Sequence, residues 1–222
     1  MYNSFVKRLM DIILSSLAIL LLAVPMLIVA LVIVIDDPGP ILFKQKRVGR
    51  KKNGEITYFM IWKFRSMKMS TPHDVPTHLL ENPEQYITRV GKFIRKTSID
   101  ELPQIYQVFT GKLSVIGPRP ALWSQEDLIA EREKYGANDV KPGISGWAQI
   151  NGRDELEIPV KAKLDGEYTT AIKAGHFKGF LMDVKCFFGT FISVIKSDGV
   201  VEGGTGEMKK LEEQKKEESA VK

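Results

Sequence analysis

Residues 12–35 read IILSSLAILLLAVPMLIVALVIVI, and this stretch decides how the chain is placed relative to a membrane. No charged residue interrupts the run, which is long enough to form a transmembrane helix. It is longer than the apolar core of a signal peptide, and no cleavage site with small residues separates it from the next segment of the chain. We therefore expect a membrane-inserted helix and not a cleaved signal peptide.

A proline near the middle of this run argues against a simple crossing. Pro25 divides the run into apolar arms of about 13 and 10 residues, which extend only about 20 and 15 Å as helices. Neither arm spans a hydrocarbon core of about 30 Å. The sequence favours a helix-break-helix path that enters one leaflet and returns. A single span and a buried soluble helix are the alternatives.

Basic residues lie on both sides of the run and support the returning path. They are Lys7 and Arg8 before it and Lys44, Lys46, Arg47, Arg50, Lys51 and Lys52 after it. Since basic flanks favour the cytoplasm, both ends are expected there. Anionic lipid headgroups explain the net charge of +5 more readily than nucleic acid, for which the chain carries no motif.

The rest of the chain has the composition of a folded domain. Of its 222 residues, 44% are hydrophobic, which excludes a disordered protein. The single cysteine, Cys186, excludes an intrachain disulfide and lies in an apolar stretch, so we expect it to be packed.

Two short strands are predicted after the membrane segment, over residues 41–45 and 56–65. Asn53–Gly54 between them is a dipeptide typical of a tight hairpin. Lys63 and Arg65 lie two residues apart in the second strand and therefore share one face. They are either solvated cations or contacts for an anion.

Two adjacent carboxylates stand in the stretch Ser98–Ile99–Asp100–Glu101–Leu102–Pro103–Gln104. Pro103 suits the first turn of a helix, so Asp100 is the natural N-cap of a helix that runs to Thr110 and ends at Gly111. Capping alone would explain the pair.

Arginines around this stretch favour phosphate chemistry instead. Arg95 precedes the acidic pair, and Arg119 follows it in the rigid turn Gly117–Pro118–Arg119–Pro120. The glycine-rich segment 141–153 follows neither the Walker nor the dinucleotide spacing, and it is a loop able to bring backbone amides and Arg153 close to a ligand.

The remaining segments give weaker signals. Residues 121–135 predict a helix whose charged residues, Arg132 among them, form a solvated face. The segment 160–170 offers Asp165, which alone is typical of a surface acid. The sequence also predicts an apolar interfacial helix over 180–195, a loop over 69–83 whose His73 and His78 are too few for a metal site, and a charged, disordered tail from Gly203.

Together these motifs resemble a known family, the bacterial sugar transferases called monotopic phosphoglycosyl transferases. The resemblance covers residues 5–198 and is closest to the small members without further transmembrane helices. One departure is Val24, where members with a well-described re-entrant helix carry serine before the proline. The matching patterns are Lys7-Arg8 with Asp11, Pro40-x-x-Phe43-x-Gln45-x-Arg47-x-Gly49, Lys63 to Met67, Ser98 to Gln104, Gly117 to Pro120 and Pro142 to Arg153.

The resemblance implies an α+β, membrane-associated fold. Residues 1–37 would form a re-entrant membrane helix broken at Pro25, and residues 38–200 a small, mostly helical α/β catalytic domain with a short β-hairpin and interfacial amphipathic helices. Residues 201–222 would be the tail. The location would be the cytoplasmic face of the bacterial inner membrane.

The implied reaction moves a sugar 1-phosphate from a UDP-sugar to undecaprenyl phosphate, releases UMP and initiates a surface glycan. Asp100 would be the nucleophile of a ping-pong mechanism with a covalent phosphosugar intermediate, beside Glu101 and a further acidic position, Asp165. Asp100 and Glu101 would also hold Mg²⁺. Substrate contacts would come from Lys63, Arg65, Arg95, Arg119, Gln149 and Arg153.

Other interpretations stay open at this point. Glu101 or Asp165 would be a general base in a transferase with direct attack, and a membrane-bound scaffold that binds anionic lipid would need no catalysis. The sugar is undecided between galactose, N-acetylgalactosamine and N-acetylglucosamine derivatives. Downstream glycosyltransferases and a second copy of the chain are candidate partners.

Overall fold

The computed structural model describes residues 2–71, 83–152 and 156–196. Within these ranges the chain forms seven α-helices and four short strands, which confirms the predicted α+β class. His73, His78, Arg153 and the tail from Gly203 lie outside the described residues. The helices are α1 (Lys7–Asp36), α2 (Arg89–Lys96), α3 (Gln104–Phe109), α4 (Glu126–Glu133), α5 (Trp147–Ile150), α6 (Ile158–Lys173) and α7 (His176–Lys196), and the strands are β1 (Leu42–Val48), β2 (Tyr58–Phe64), β3 (Ser114–Ile116) and β4 (Gly143–Ser145).

The long helix α1 packs against the rest of the chain along one face. Its buried side chains recur at helical spacing and are Lys7, Asp11, Ser15, Met26 and Ile33. Apolar side chains on its other faces are exposed, among them Leu17, Leu20, Leu21, Val24, Leu27, Ile28 and Leu31. Within the described ranges, α1 is the one helix that is long and apolar enough to cross a membrane.

The helix continues through Pro25 without an interruption. This differs from the predicted helix-break-helix, in which the chain would leave the helix at that residue. A proline removes a single helical N–H group, so the turns on either side can remain helical even where the axis bends. The re-entrant path through one leaflet stays a prediction.

A buried carboxylate attaches the first residues of the chain to its last helix. Asp183 of α7 accepts hydrogen bonds from the Tyr2 hydroxyl at 2.6 Å, the Lys7 ammonium at 2.7 Å and the Tyr168 hydroxyl at 2.8 Å. All four side chains are buried. Buried charges persist only when they are paired and hydrogen-bonded, so this cluster fixes the start of α1 on the domain.

Two further residues of α1 extend this attachment. Asp11 accepts hydrogen bonds at 2.9 Å from the Ser114 hydroxyl and from the Val115 backbone N–H in β3. The guanidinium of Arg8 donates to two carbonyl groups at the C-terminal end of α3, at 2.7 Å each. Carbonyl groups in the last turn of a helix have no partner within that helix, and Arg8 donates to two of them beside the Gly111 N–H that Val108 also accepts.

The other end of α1 is attached as well. Asp36 accepts a hydrogen bond from the Val90 backbone N–H of α2 at 3.1 Å, and Asp37 forms an ion pair with Arg65, directly after β2. Both ends of a helix about 45 Å in length are therefore held by one folded domain.

The predicted hairpin is confirmed. β1 and β2 pair antiparallel from Leu42 opposite Phe64 to Val48 opposite Tyr58. Asn53 and Gly54 have φ angles of 51° and 85°, which the tight two-residue turn requires.

A second strand pair lies in segments that the sequence indicated only as loops. β3 and β4 are parallel, with Ser114 beside Gly143 and Ile116 beside Ser145. Strands of three residues are too short to give a periodic signal. A Cβ atom on Gly143 would lie 2.1 Å from the Gly117 backbone nitrogen, so this pairing requires glycine.

The last helix, α7, has a mixed surface. Asp183 and Cys186 are buried, which confirms the prediction of a packed cysteine. Aromatic side chains on its other faces are exposed, among them Phe177, Phe188 and Phe191. Such a surface suits a membrane interface, and the interfacial placement of α7 stays a prediction.

The cluster around Asp183 leads to a test of stability. Replacing Asp183 with asparagine removes the charge that neutralises Lys7, so we expect the free energy of unfolding to fall by about 3 kcal/mol. Asp139→Asn is the matched control, because Asp139 pairs with Lys173 at the surface and is expected to contribute less than about 1 kcal/mol. Urea unfolding in detergent micelles measures both. Equal effects of the two variants would contradict a structural role of the cluster.

Candidate active site

The acidic pair Asp100–Glu101 lies in a short 3₁₀ turn. This turn covers Ile99–Glu101 and follows Ser98, whose φ angle of 56° lies in the left-handed region. α3 begins only at Gln104. The predicted N-cap role of Asp100 is therefore wrong, because the left-handed residue starts a separate turn ahead of the α-helix.

Three further elements bring cations to this pair. β2 supplies Lys63, the last turn of α2 supplies Arg95, and the turn after β3 supplies Arg119. The charges of all three act on Asp100 and favour its ionised form. The predicted cluster of acidic and basic residues from four separate segments is thus assembled in the fold.

Glu101 is the centre of the ion pairs. Its Oε1 atom accepts hydrogen bonds from Lys63 Nζ at 2.9 Å and from Arg119 Nη2 at 2.6 Å, while Oε2 accepts one from Arg119 Nη1 at 3.3 Å. Burial opposes ionisation of this carboxyl. The charges of Arg119 and Lys63 and their hydrogen bonds outweigh it and hold the pKa of Glu101 well below its usual value.

Asp100 differs from its neighbour although it meets the same cations. Its side chain is buried, with 8% of the residue exposed, and its ion pair with Lys63 is long, at 3.7 Å between Nζ and Oδ2. Burial is the largest influence and raises the pKa of Asp100 to about 6, with a further increase from the charge of Glu101. Attraction by Lys63, Arg95 and Arg119 limits the increase.

The two carboxylates therefore suit different roles. Glu101 is fixed by two cations and holds them in place. Asp100 is ionised at neutral pH and poorly solvated, and its carboxylate accepts no side-chain hydrogen bond within the described part of the chain. An anion with little solvation and few hydrogen bonds is a reactive nucleophile and a good metal ligand.

The donor set also fits a magnesium ion. Mg²⁺ in phosphate-transferring sites is held by one or two carboxylates, together with waters and substrate phosphates. In the described ranges no group of three or more His, Cys, Asp or Glu residues is placed to hold a metal, so a cage made by the protein alone is absent there. Asp100 is the better ligand, because the oxygens of Glu101 already accept hydrogen bonds from Lys63 and Arg119.

Asp165 lies in a different environment from the acidic pair. It is fully buried in α6, and its Oδ2 atom accepts two hydrogen bonds from Arg132, at 2.8 Å from Nε and 2.6 Å from Nη2. The predicted solvated face of 121–135 is thus wrong for Arg132, which pairs with Asp165 across two helices. No sequence signal links residues 33 positions apart. A role for Asp165 in the reaction stays a prediction.

The other predicted substrate contacts lie in three different settings. The guanidinium of Arg65 is held by the carboxylate and the backbone carbonyl of Asp37, so its described partners tie the hairpin to α1. Gln149 is buried in α5. Arg153 belongs to the residues outside the described ranges. Their contact with substrate stays a prediction.

A poorly solvated carboxylate among cations, on a domain tied to a long apolar helix, suits a membrane-associated protein that binds phosphate groups. The chain belongs to the bacterial sugar transferase family, whose model matches residues 2–197. The predicted resemblance is thereby confirmed, and the family together with α1 indicates association with a membrane.

Several curated relatives are similar over most of this chain. The UDP-glucose:undecaprenyl-phosphate glucose-1-phosphate transferase of Escherichia coli (strain K12) is 39% identical over 179 residues, which are 75% of this chain and 36% of that protein. The UDP-N-acetylgalactosamine-undecaprenyl-phosphate N-acetylgalactosaminephosphotransferase of Aeromonas hydrophila is 41% identical, over 66% of this chain and 34% of that protein. The chain thus spans only about a third of these two proteins.

A third relative matches along nearly its full length. The exopolysaccharide production protein PSS of Rhizobium leguminosarum bv. phaseoli is 36% identical over 197 residues, which are 84% of this chain and 94% of that protein.

The raised pKa of Asp100 predicts a stability that depends on pH. Because the pKa is about 6 in the folded protein against 3.8 for an unperturbed aspartate, folding favours the protonated form between these values. Above pH 6 the ionised carboxylate of Asp100 therefore lowers the free energy of unfolding, whereas an uncharged asparagine does not. Asp100→Asn should be more stable than the wild type at pH 7.5 by on the order of 2 kcal/mol, and equally stable near pH 4. Urea unfolding at both pH values measures this, and a less stable variant at pH 7.5 would contradict a buried charge that the cations compensate only in part.

Proposed function

We propose that this protein transfers a sugar 1-phosphate from a UDP-sugar to undecaprenyl phosphate, releases UMP and initiates a surface polysaccharide or glycoconjugate. The observation that carries the proposal is the buried Asp100 carboxylate, on which the charges of Lys63, Arg95 and Arg119 act. The names of two relatives include undecaprenyl phosphate as acceptor and UDP-sugars as donors.

In the first step, Asp100 attacks the phosphorus atom that carries the sugar. A bond forms between a carboxylate oxygen and this phosphorus, and the bond from the phosphorus to the bridging oxygen of the diphosphate breaks. UMP leaves with that oxygen and its electron pair. Asp100 then carries the sugar phosphate as an acyl phosphate, which is a covalent intermediate.

In the second step, a phosphate oxygen of the lipid attacks the same phosphorus. The bond between phosphorus and the carboxylate oxygen breaks, and Asp100 returns to its ionised form. The product is a polyprenyl diphosphate that carries the sugar. No net proton transfer is needed in either step when both phosphates are fully ionised, so the site does not require a strong general base.

The cations around Asp100 bind the phosphate groups of the substrate and stabilise the negative charge of the transition state. Arg119 presents a planar guanidinium that suits two oxygens of one phosphate, and Lys63 supplies a point charge. Glu101 fixes both side chains in advance, which lowers the cost of arranging them around the transition state. Supporting roles in the reaction for Arg65, Arg95, Arg153 and Asp165 stay predictions from the family resemblance.

A bound Mg²⁺ would neutralise charge on the donor diphosphate, which otherwise repels the attacking carboxylate. Asp100 would hold this ion together with phosphate oxygens. Glu101 would join it only after giving up one of its contacts with Lys63 or Arg119.

We also place the domain on the cytoplasmic face of the bacterial inner membrane. The support is the attachment of both ends of α1 to one domain, at Asp183 and at Arg65. If the domain stays on one side, both helix ends lie on that side as well. The exposed apolar residues of α1 then face lipid within one leaflet.

Release of UMP before acceptor is added tests the covalent mechanism. Mixing enzyme with Mg²⁺ and radiolabelled UDP-sugars that carry glucose, galactose, N-acetylglucosamine or N-acetylgalactosamine should give a burst of about one UMP per enzyme with the correct donor. The label should remain on the peptide that contains Asp100. Asp100→Asn should show neither, while Asp139→Asn, at the surface, should behave as the wild type.

The outcomes separate the candidate mechanisms. UMP that appears only after undecaprenyl phosphate is added would indicate direct attack by the lipid and would remove the covalent step. UMP release by folded Asp100→Asn would eliminate Asp100 as nucleophile, provided that mass spectrometry excludes deamidation. Absence of turnover with every donor would leave a lipid-binding scaffold.

Cysteine labelling tests the path of α1. The native Cys186 is fully buried, so single cysteines can be introduced without removing it. Asn3→Cys and Lys44→Cys should both resist a membrane-impermeant maleimide in intact spheroplasts and react after lysis. Labelling of Asn3→Cys in spheroplasts, with Lys44→Cys protected, would establish a full span.

A further inference from the structure

The turn that carries Arg119 has few hydrogen-bond donors of its own. Arg119 lies between Pro118 and Pro120, and neither proline has a backbone N–H group to donate. Both prolines are buried, and a buried carbonyl group without a donor is costly. Donors for the carbonyl groups of this turn therefore come from other segments of the chain.

Backbone groups supply two of these donors, one on each side of the arginine. The Pro118 carbonyl accepts a hydrogen bond from the Gly143 N–H of β4 at 3.0 Å. The Ala121 carbonyl accepts one from the Val48 N–H of β1 at 2.9 Å. The turn is thus attached to the β3–β4 pair before Arg119 and to the hairpin after it.

A side chain of β1 supplies a third donor. Nη1 of Arg47 donates at 3.2 Å to the carbonyl of Pro120, which is the residue directly after Arg119. Nη2 of the same guanidinium donates to Gln45 Oε1 at 2.6 Å. Gln45 lies two residues earlier in the strand and therefore on the same face. Because the guanidinium is planar, these two hydrogen bonds fix its orientation toward the turn.

The hairpin therefore reaches both of the cations that are hydrogen-bonded to Glu101 in the described part of the chain. Lys63 of β2 contacts Glu101 directly, at 2.9 Å. Arg47 is opposite Phe59 in the hairpin, and Phe59 lies four residues before Lys63, so Arg47 and Lys63 share one face of the sheet. The second cation, Arg119, is reached through the carbonyl that Arg47 binds.

We propose that Arg47 is a positioning residue, which sets the place of the Arg119 guanidinium beside the acidic pair, and that Gln45 orients Arg47 for this role. The inference rests on the proposed function, in which Arg119 binds a phosphate group of the donor. Arg47 acts through Arg119 and not by contact with the substrate. Displacement of a binding group by about 1 Å can lower a rate by about 100-fold, so such a residue has a measurable effect.

A double-mutant cycle with UDP as ligand tests this dependence. Calorimetry in detergent micelles with Mg²⁺ should show that Arg47→Met binds UDP at least about tenfold more weakly than the wild type, because Arg119 no longer meets the diphosphate in the correct position. In an Arg119→Met background, the same change should weaken binding by less than about twofold. Unchanged binding by Arg47→Met, or an equal loss in both backgrounds, would overturn the inference.

Arg8→Met is the matched control for this cycle. The Arg8 guanidinium also donates to backbone carbonyl groups, but these belong to Val108 and Phe109 of α3 and not to the turn. Any effect of Arg8→Met on UDP binding should therefore be the same factor with and without Arg119. Coupling of Arg8 to Arg119 as strong as that of Arg47 would show a general effect of the fold and would overturn the inference.

A milder variant covers the case in which Arg47→Met does not fold. Gln45→Met keeps both arginines and removes only the amide that orients Arg47. It should weaken UDP binding by about threefold or more, and this loss should disappear in the Arg119→Met background. Wild-type affinity of folded Gln45→Met would remove the orienting role, and a loss that persists without Arg119 would overturn the inference.

The UMP burst separates positioning from general damage to the fold. A partly unfolded variant gives a smaller burst at the normal rate, since fewer molecules react. Arg47→Met should instead give a burst of about one UMP per enzyme at a rate lower by about tenfold or more. A smaller burst at the wild-type rate would overturn the inference. Wild-type behaviour of Arg47→Met removes this inference alone, whereas a wild type that neither binds UDP nor releases UMP contradicts the proposed function.

Discussion

The buried carboxylate of Asp183 is the interaction on which the rest of the structure depends. It joins Tyr2 and Lys7, at the start of the chain, to Tyr168 of α6 and to its own helix α7. A lysine ammonium without this partner would be costly to bury, so α1 can lie along the domain only while α7 is folded beside it. The apolar helix and the domain are therefore one cooperative structure and not an anchor linked to an independent unit.

The acidic pair shows how one turn gives two neighbouring carboxylates different properties. Asp100 is buried and Glu101 is partly buried, and both meet Lys63 and Arg119, but Glu101 takes the short hydrogen bonds and Asp100 is left with a contact of 3.7 Å. The cations therefore outweigh the cost of burial at Glu101 and hold its pKa low. At Asp100 they do not, and its pKa is raised. The left-handed Ser98 sets the pair in a turn of its own ahead of α3, where the Asp100 carboxylate is not occupied with capping a helix.

Local signals in the sequence predicted the parts of the fold that depend on nearby residues. Asn53–Gly54 indicated the hairpin through the positive φ angles that only such residues adopt easily, and the charge-free run defined α1. The acidic pair, Lys63 and Arg119 were found because each lies in a distinctive short motif, and Arg95 because it lies just before the pair. The signals were weaker where distant segments meet: the parallel strands have three residues each, and Arg132 pairs with Asp165 across 33 positions. A charged residue on a helix gives no indication in sequence of whether it faces water or a buried partner.

These long-range contacts also connect the apolar helix to the candidate active site. Asp11 of α1 binds the Ser114 hydroxyl and the Val115 N–H, which lie at the start of β3. The same short strand leads into the turn that carries Arg119, while its parallel partner leads to Gln149. The chain from Val115 to Arg119 is short, and the close approach of Gly117 to Gly143 leaves it little freedom. The contacts of Asp11 with β3 therefore connect the position of α1 to the position of Arg119.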